Sequence, residues 1–268
     1  YLKNTYYNVT MSTEQAFTNN LSLNYWNGRG LMEVPRMMLA YSGKFPGDYN
    51  DARYTTDKDS LERKECFDYA QVKNSLSANL GRLPVLEHGD YSLGQSTAIN
   101  FYVASKLDLM GDNLEESAKI LECCEHVKEM MTCFRGLCPY FTEPTDEILE
   151  KWFETGSEDM SPNPANMQTR KERYFKWWAG RLEYLLGEEY AVGNRLSLAD
   201  FVIYNTFAEY LPQEQNKELP EWRRSTFGNF LLTISHLQNY PKLGNIINNI
   251  TEENNIQRWL ETRGVQKF

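Results

Sequence analysis

The sequence has few of the residues that build metal centres or disulfide frameworks. It contains three histidines and five cysteines in 268 residues. An odd number of cysteines in a chain of this length favours reduced thiols over a set of disulfides. The nearest approach to metal-ligand spacing is Cys123 with His126 on one predicted helix turn, without two further ligands nearby. We therefore expect no metal site and a reducing, cytoplasmic location.

The chain also lacks long apolar runs and an excess of positive charge. No run approaches the roughly 18 consecutive apolar residues that cross a bilayer. The start YLKNTYYNVT has neither the basic nor the apolar region of a signal peptide. The formal net charge of -9 gives no long-range attraction to phosphate backbones or anionic lipids. We expect neither membrane insertion nor nucleic-acid binding; whether a targeting segment precedes residue 1 stays open.

The sequence that is present divides into a mixed α/β part and an all-helical part. Residues 1–20 are polar, have no hydrophobic period and predict a flexible arm. Residues 21–104 predict strand, helix and strand, then a long connection, then a hairpin in LPVLEHGDYSL and a helix. After a linker at 105–113, helical periods separated by Pro, Gly or Asn occupy residues 114–268.

One helix start in the second part is clearly marked. In GNRLSLADF, Ser197 is placed as an N-cap and Asp200 as the third helical residue. Each side chain can then bond the free backbone N–H of the other, which is a capping box. Leu196 and Phe201 have the spacing of the hydrophobic staple that accompanies this motif. The pattern predicts a structural role and a central, buried helix.

The stretch LSLNYWNGRG predicts a strand that ends abruptly. Leu21, Leu23 and Tyr25 alternate with polar residues and lie on one face of that strand. The glycines of NGRG then turn the chain into a helix. From this stretch alone, the structural interpretation is that Tyr25 is simply one of 17 tyrosines, buried at the end of a strand.

Three stretches together carry a family resemblance. In order and spacing, LNYWNGRGLMEVPRMML, GRLPVLEHGDYSLGQSTAINFYVASKLDLMG and GNRLSLADF resemble the cytosolic glutathione transferases. They are most similar to the sigma class, which includes the glutathione-dependent prostaglandin D synthases. The resemblance implies a thioredoxin-like N-terminal domain (βαβ-ββα), an all-helical C-terminal domain, a homodimer, and glutathione as co-substrate. It extends from Leu21 to about Phe207, and weakly to the tail RWLETRGVQ.

The resemblance implies that Tyr25 and Arg29 are the catalytic residues. A thiol has a pKa near 8.5 and a phenol one of about 10, so the phenol keeps its proton and can donate a hydrogen bond to the thiolate. The NGRG turn would bring Arg29 back over the same cleft, where its positive charge would lower the thiol pKa further.

The resemblance also implies a set of glutathione contacts. Ser96, with the free N–H groups of a helix start, would bind the γ-glutamyl carboxylate; alternatively it is an ordinary N-cap. Leu83, before a cis Pro84, would pair its backbone with glutathione; alternatively the proline only begins a strand. The remaining implied contacts, with solvated loop or helix positions as their alternatives, are Gln95, Tyr69, Lys73, and Glu129 of the neighbouring subunit.

For the second substrate, the resemblance implies a hydrophobic pocket lined by Trp26 and Met131, although methionines are more often core residues. Gly136 stands where prostaglandin D synthases carry an aromatic residue. Lys128 stands where some carry an acidic residue linked to a divalent metal. The polar stretch 212–226 could rim the pocket. We expect conjugation of glutathione to a small hydrophobic electrophile. The alternatives are a glutathione-dependent isomerase or peroxidase of lipid peroxides, and a non-enzymatic ligandin-like or crystallin-like binding protein.

Overall fold

The computed structural model describes residues 17–56, 66–72, 77–156, 173–208 and 219–264. They fall into two compact units. The first unit runs to Leu109 and takes up the chain again from Asn254, and the second spans Met110–Glu253. The division between them lies inside the predicted linker. The residues from Asn254 onward belong to the first unit, whereas the sequence pattern predicts them to be part of the helical domain.

The first unit is built on a five-stranded mixed sheet. Its spatial order is β3-β2-β1-β4-β5. Strand β1 pairs parallel with β2 and antiparallel with β4, while β3 is parallel to β2 and β5 antiparallel to β4. The predicted thioredoxin-like plan is confirmed. Strand β3 is an addition to the strands that the sequence periods predict, because its three residues are too few to show a period. The strands are β1 (Leu21–Trp26), β2 (Asn50–Thr55), β3 (Cys66–Asp68), β4 (Val85–His88) and β5 (Tyr91–Gly94).

The described residues of both units also form helices. The first unit holds α1, α2, α3 and α10, and the second unit holds α4 to α9. Their bounds are α1 (Glu33–Tyr41), α2 (Tyr69–Val72), α3 (Ser96–Lys106), α4 (Leu114–Leu137), α5 (Asp146–Glu154), α6 (Phe175–Leu185), α7 (Leu198–Phe207), α8 (Phe230–Leu237), α9 (Pro241–Glu252) and α10 (Asn254–Thr262).

Helix α1 follows β1, contains a proline in its first turn and is closed by a glycine. Pro35 lies in its first turn, where a missing N–H is tolerated. Gly43 takes a left-handed backbone with φ of 75°. The N–H of Lys44 then donates to the carbonyl of Leu39 at 2.8 Å, which closes the helix with a Schellman turn.

Two predictions for the second unit and the tail have different outcomes. The capping box is confirmed, since the N–H and the hydroxyl of Ser197 both donate to Asp200 Oδ2, at 2.8 and 2.7 Å. The hydrophobic period over 242–260 predicts a single helix, and this prediction is wrong. The segment is two helices, α9 and α10, separated by an extended Glu253. Both flanks are amphipathic, so the hydrophobic period gives no sign of the break.

The C-terminal end of the predicted flexible arm belongs to the folded first unit. Residues 1–16 lie outside the described residues, but Phe17 and Thr18 are buried. The Phe17 ring meets His88 edge-on, with 5.4 Å between ring centroids. Burial of an aromatic ring removes these residues from the arm. Among the described helices, none has the length and hydropathy needed to span a bilayer.

Candidate functional site

Strand register brings the candidate residues of the first unit to one edge of the sheet. Asn24 of β1 pairs with Val85 of β4, and Val85 pairs with Gly94 of β5. The residues just beyond these pairs are therefore Tyr25, Pro84 and Gln95. Three segments that are far apart in sequence thus meet where β1 ends, β4 begins and β5 ends.

Tyr25 lies against the turn that follows its own strand. Its side chain is buried, with 6% of its surface exposed. A Cβ atom placed on Gly30 would lie 2.7 Å from the Tyr25 hydroxyl oxygen. Gly30 also has a positive φ of 42°, a conformation that glycine adopts without strain. The hydroxyl group is therefore held beside the backbone of the NGRG turn.

A Gly30→Ala variant is expected to lower both stability and glutathione affinity. The backbone cost is about 1 to 2 kcal/mol, because the left-handed region disfavours a Cβ. The new methyl group would in addition push the Tyr25 ring from its position. Urea denaturation and glutathione titration measure the two effects. Gly89→Ala is the matched control, since Gly89 has φ of 59° and open space around it; equal glutathione affinities in the two variants would contradict the expected displacement.

An aromatic pair stands beside this edge. The rings of Trp26 and Tyr69 lie 4.5 Å apart between centroids. The Tyr69 hydroxyl donates to the carbonyl of Gly81 at 2.6 Å. Tyr69 is therefore fixed near the turn that leads into β4. Lys73, the other residue predicted for this region, lies outside the described residues.

The backbone before β4 has the predicted form. The Leu83-Pro84 peptide bond is cis. The buried side-chain amide of Asn79 donates to the carbonyl of Pro84 at 3.0 Å. A Cβ on Gly94 would lie 2.5 Å from the Asn79 Cβ, so Asn79 packs between the start of β4 and the end of β5. Between described residues, no backbone hydrogen bond engages Leu83.

Helix α3 begins at the same edge. Its N-cap is Gln95, with a positive φ of 69° and no side-chain capping hydrogen bond. Ser96 is the first helical residue, so the alternative that Ser96 itself is the N-cap is wrong. The turn out of β5 places Gln95 in the capping position instead. The first N–H groups of an 11-residue helix therefore point to the sheet edge.

Arg29 lies in the NGRG turn and is buried, with 2% of its surface exposed. The turn is drawn onto α1 by Arg36, whose Nη1 donates to the carbonyls of Gly28 and Arg29 at 2.8 and 3.4 Å. Arg36 also pairs with Asp51 at 3.0 Å. The NGRG turn is thus anchored by a buried cation of the following helix.

Glu33 completes this buried network. Its Oε1 accepts hydrogen bonds from Trp259 Nε1 and Arg263 Nη1, both at 2.8 Å. Its Oε2 lies 3.5 Å from Arg36 Nη1. Burial raises the pKa of Glu33, but the cations of Arg263 and Arg36 more than offset it and hold the pKa at about 2. A carboxylate of α1 therefore connects α10 to the arginine that anchors the turn.

The candidate residues of the second unit lie on α4. Glu129 is exposed and forms a long ion pair of 3.9 Å with Arg173. Met131 is half-buried, whereas Met130 is fully buried. A Cβ on Gly136 would meet nothing within 4 Å. Lys128 pairs with Glu125 at 3.2 Å on the surface. The predicted rim at 212–226 is outside the described residues up to 218.

The comparisons with known proteins agree on one family. The model for the N-terminal domain of glutathione S-transferases matches residues 21–105, and the model for their C-terminal domain matches residues 146–263. A Dictyostelium discoideum relative, provisionally named glutathione S-transferase alpha-2, is 30% identical over 190 residues, which cover 69% of this chain and 72% of the relative. The chain belongs to the glutathione S-transferase family.

Two further matches bear on the activity and the fold of this glutathione transferase. Human hematopoietic prostaglandin D synthase is 26% identical over 182 residues, 68% of this chain and 75% of that protein. The crystal structure of a Caenorhabditis elegans glutathione transferase superposes with a TM-score of 0.63 at 25% identity, covering 93% of this chain and 99% of that one. The family uses glutathione as co-substrate. The relatives differ in class, so the sigma assignment stays a proposal.

Several residues around the candidate site are not indicated by the sequence pattern. Asn79, which positions Pro84, lies in a polar stretch without a period. Asp51 and Trp259 meet the α1 network from distant parts of the chain. Among the described residues, no three side chains of His, Cys, Asp or Glu form a group that could hold a metal ion.

Proposed function

We propose that this glutathione transferase is of sigma type and conjugates glutathione to small hydrophobic electrophiles, with Tyr25 as the residue that stabilises the thiolate. The observation that carries the proposal is the common position of Tyr25, Pro84 and Gln95 at one sheet edge. A ligand bound there can have its thiol at Tyr25, its backbone at Leu83 and its carboxylate at the start of α3.

The Tyr25 hydroxyl is suited to donating a hydrogen bond. A phenol stays protonated at neutral pH, and a hydrogen bond to a charged acceptor is worth about 1.5 to 3 kcal/mol. That amount lowers a thiol pKa by roughly one to two units. Arg29 would contribute through its field from inside the unit, because its buried charge is poorly screened by solvent.

The other groups would hold the rest of glutathione. The extended backbone of Leu83 can pair with the cysteinyl main chain as a neighbouring strand does. Gln95 and Ser96 place a side-chain amide, a hydroxyl and free N–H groups at the positive end of the α3 dipole, which favours a carboxylate. Trp26, beside Tyr69, gives the electrophile an apolar surface. Held this close, thiolate and electrophile react as an effectively intramolecular pair.

Conjugation is favoured over prostaglandin isomerisation by the space around Gly136. Gly136 itself supplies no ring, and a Cβ built at this position would have no atom of the described residues within 4 Å. The resemblance to human hematopoietic prostaglandin D synthase keeps the isomerase as the second candidate.

The test of the function is a direct assay of thioether formation. Purified protein is mixed with glutathione and a nitro-activated aryl chloride, and absorbance of the product is followed. We expect saturable rate enhancement that S-hexylglutathione inhibits. A rate equal to that of glutathione alone, combined with rapid turnover of a lipid hydroperoxide, would reject conjugation in favour of the peroxidase.

We further propose a homodimer in which Glu129 reaches the glutathione amine of the neighbouring subunit. The carboxylate is half exposed, and its long contact to Arg173 is a weak surface pair. Glu129→Gln should weaken glutathione binding by about tenfold, the worth of one charged hydrogen bond. Calorimetric titration of a sample shown by sedimentation to be dimeric measures this.

Glu125→Gln on the same helix is the control, because Glu125 is also exposed and ion-paired. Equal affinities in the two variants would contradict the role of Glu129.

A cytoplasmic location is proposed as well, supported by four free cysteines among the described residues.

A further inference from the structure

The first unit contains a cavity away from the sheet edge described above. It has a volume of about 320 Å³ and lies between β2, the segment after α1, and α10. Three arginines line it, Arg53, Arg258 and Arg263, and none of the described lining residues is acidic. Phe45 and Trp259 form its apolar wall. The chain as a whole carries a net charge of -9, so a cluster of cations around one cavity is against its general character.

Two of the arginines are held in place from behind. Arg53 is fixed by Asp51, which accepts from its Nε and Nη2 at 2.9 and 2.6 Å. Arg263 is fixed by Glu33, which accepts from its Nη1 at 2.8 Å. Two carboxylates therefore neutralise only part of the charge of three guanidinium groups, and the net charge of these five groups is positive. Burial and the neighbouring Arg36 both lower the pKa of Arg53, as expected where cations are crowded.

The third arginine stands at the exposed side. The Arg258 guanidinium lies over the Phe45 ring, 4.2 Å from its centroid. It forms no ion pair with any other residue that the structure describes. Stacking on a ring fixes the plane of the guanidinium and leaves its N–H edge available for a ligand.

We propose that this cavity binds a tetrahedral dianion, a phosphate or sulfate group carried by a small molecule, between Arg53, Arg258 and Arg263. The guanidinium fork of Arg258 matches a tetrahedral oxyanion with paired hydrogen bonds, and the positive charges of Arg53 and Arg263, whose forks already bond Asp51, Gly28 and Glu33, favour a dianion over a single carboxylate. The cavity is larger than the bare ion requires. The room beside Phe45 and Trp259 suits a flat group attached to the phosphate or sulfate.

The test is calorimetric titration with inorganic phosphate, inorganic sulfate and phenyl phosphate, at constant ionic strength set with chloride, in the presence of saturating glutathione. Glutathione is included to occupy the carboxylate site at the start of α3, and the Arg258 variants below distinguish the cavity from that site whether or not glutathione binds. We expect all three anions to bind and phenyl phosphate to bind most tightly. Arg258→Gln should weaken binding by about tenfold, the worth of a charged hydrogen bond. Arg258→Lys, which keeps the charge but not the fork, should fall between.

Lys106→Gln is the matched control, because Lys106 also stands over an aromatic ring, that of Tyr102, on another face of the unit. It should leave phosphate binding unchanged. Far-ultraviolet circular dichroism and thiol conjugation rates check that each variant is folded. The proposal is overturned if phosphate gives no more heat than chloride, or if Arg258→Gln and Lys106→Gln bind phosphate equally.

Discussion

Replacing Tyr25 by Phe is expected to lower the rate of glutathione conjugation at neutral pH by roughly 10- to 100-fold. This is the kinetic equivalent of one hydrogen bond to a charged sulfur, about 1.5 to 3 kcal/mol. The ring and its packing against the turn remain, so the fold should be little affected. The deficit should narrow as pH rises towards 8.5, the approximate pKa of a free thiol, because the thiol then ionises without help. Initial rates with an aryl chloride across this pH range measure both effects.

Tyr102→Phe is the control for this experiment. Its hydroxyl bonds His88 Nδ1 at 2.8 Å, and His88 lies at the opposite end of β4 from Pro84. Removing that hydroxyl costs one hydrogen bond away from the candidate site and should leave conjugation unchanged. If Tyr25→Phe conjugates as fast as the unmodified protein at every pH, another group stabilises the thiolate.

Replacing Glu33 by Gln is expected to produce the largest loss of stability, about 3 to 5 kcal/mol. Breaking a buried ion pair leaves its cations uncompensated in a poor solvent. Here those cations are Arg263 and Arg36. Since Arg36 anchors the NGRG turn, glutathione affinity should fall as well. Urea denaturation measures the loss, with Glu122→Gln as control, because the Glu122 pair with Lys119 is exposed and contributes little to stability.

The same residue predicts how stability depends on pH. The pKa of Glu33 is about 2 in the folded protein, below its ordinary value of 4.5. A group with a depressed folded pKa stabilises the protein above its unfolded pKa, and that contribution is lost as pH falls through the folded value. The unmodified protein should therefore lose stability more steeply than Glu33→Gln between about pH 4.5 and pH 2. Parallel curves over this range would contradict a buried, ionised Glu33.

The sequence predicts the fold better than it predicts the surroundings of the site. Alternation in β1 and the capping box at Ser197 are local patterns, so each can be recognised from a few neighbouring residues. Strand β3 cannot be recognised in this way, because its three residues show no period. The break at Glu253 cannot be recognised either, because the helices on both sides of it have a hydrophobic period.

Contacts between distant segments decide what the sequence misses at the site. In the sequence, Glu33 has the position of an ordinary acidic residue in the first turn of a helix. Its partners Trp259 and Arg263 lie more than 220 positions later in the chain, so the local pattern does not indicate the buried network. The burial of Arg29 is not predicted from the sequence, because it depends on the hydrogen bonds by which Arg36 holds the turn against α1. Tyr25, Pro84 and Gln95 could be chosen from the family resemblance, but their common sheet edge follows only from strand pairing.

The most direct test of the thiolate account is calorimetric binding of glutathione from about pH 6 to about pH 9, in buffers of different ionisation enthalpy, with Tyr25→Phe beside the unmodified protein. The account predicts that the unmodified protein releases a proton as it binds glutathione below the pKa of the free thiol, and that Tyr25→Phe binds with this release abolished. Equal proton release in the two proteins, or no binding of glutathione at all, would contradict it.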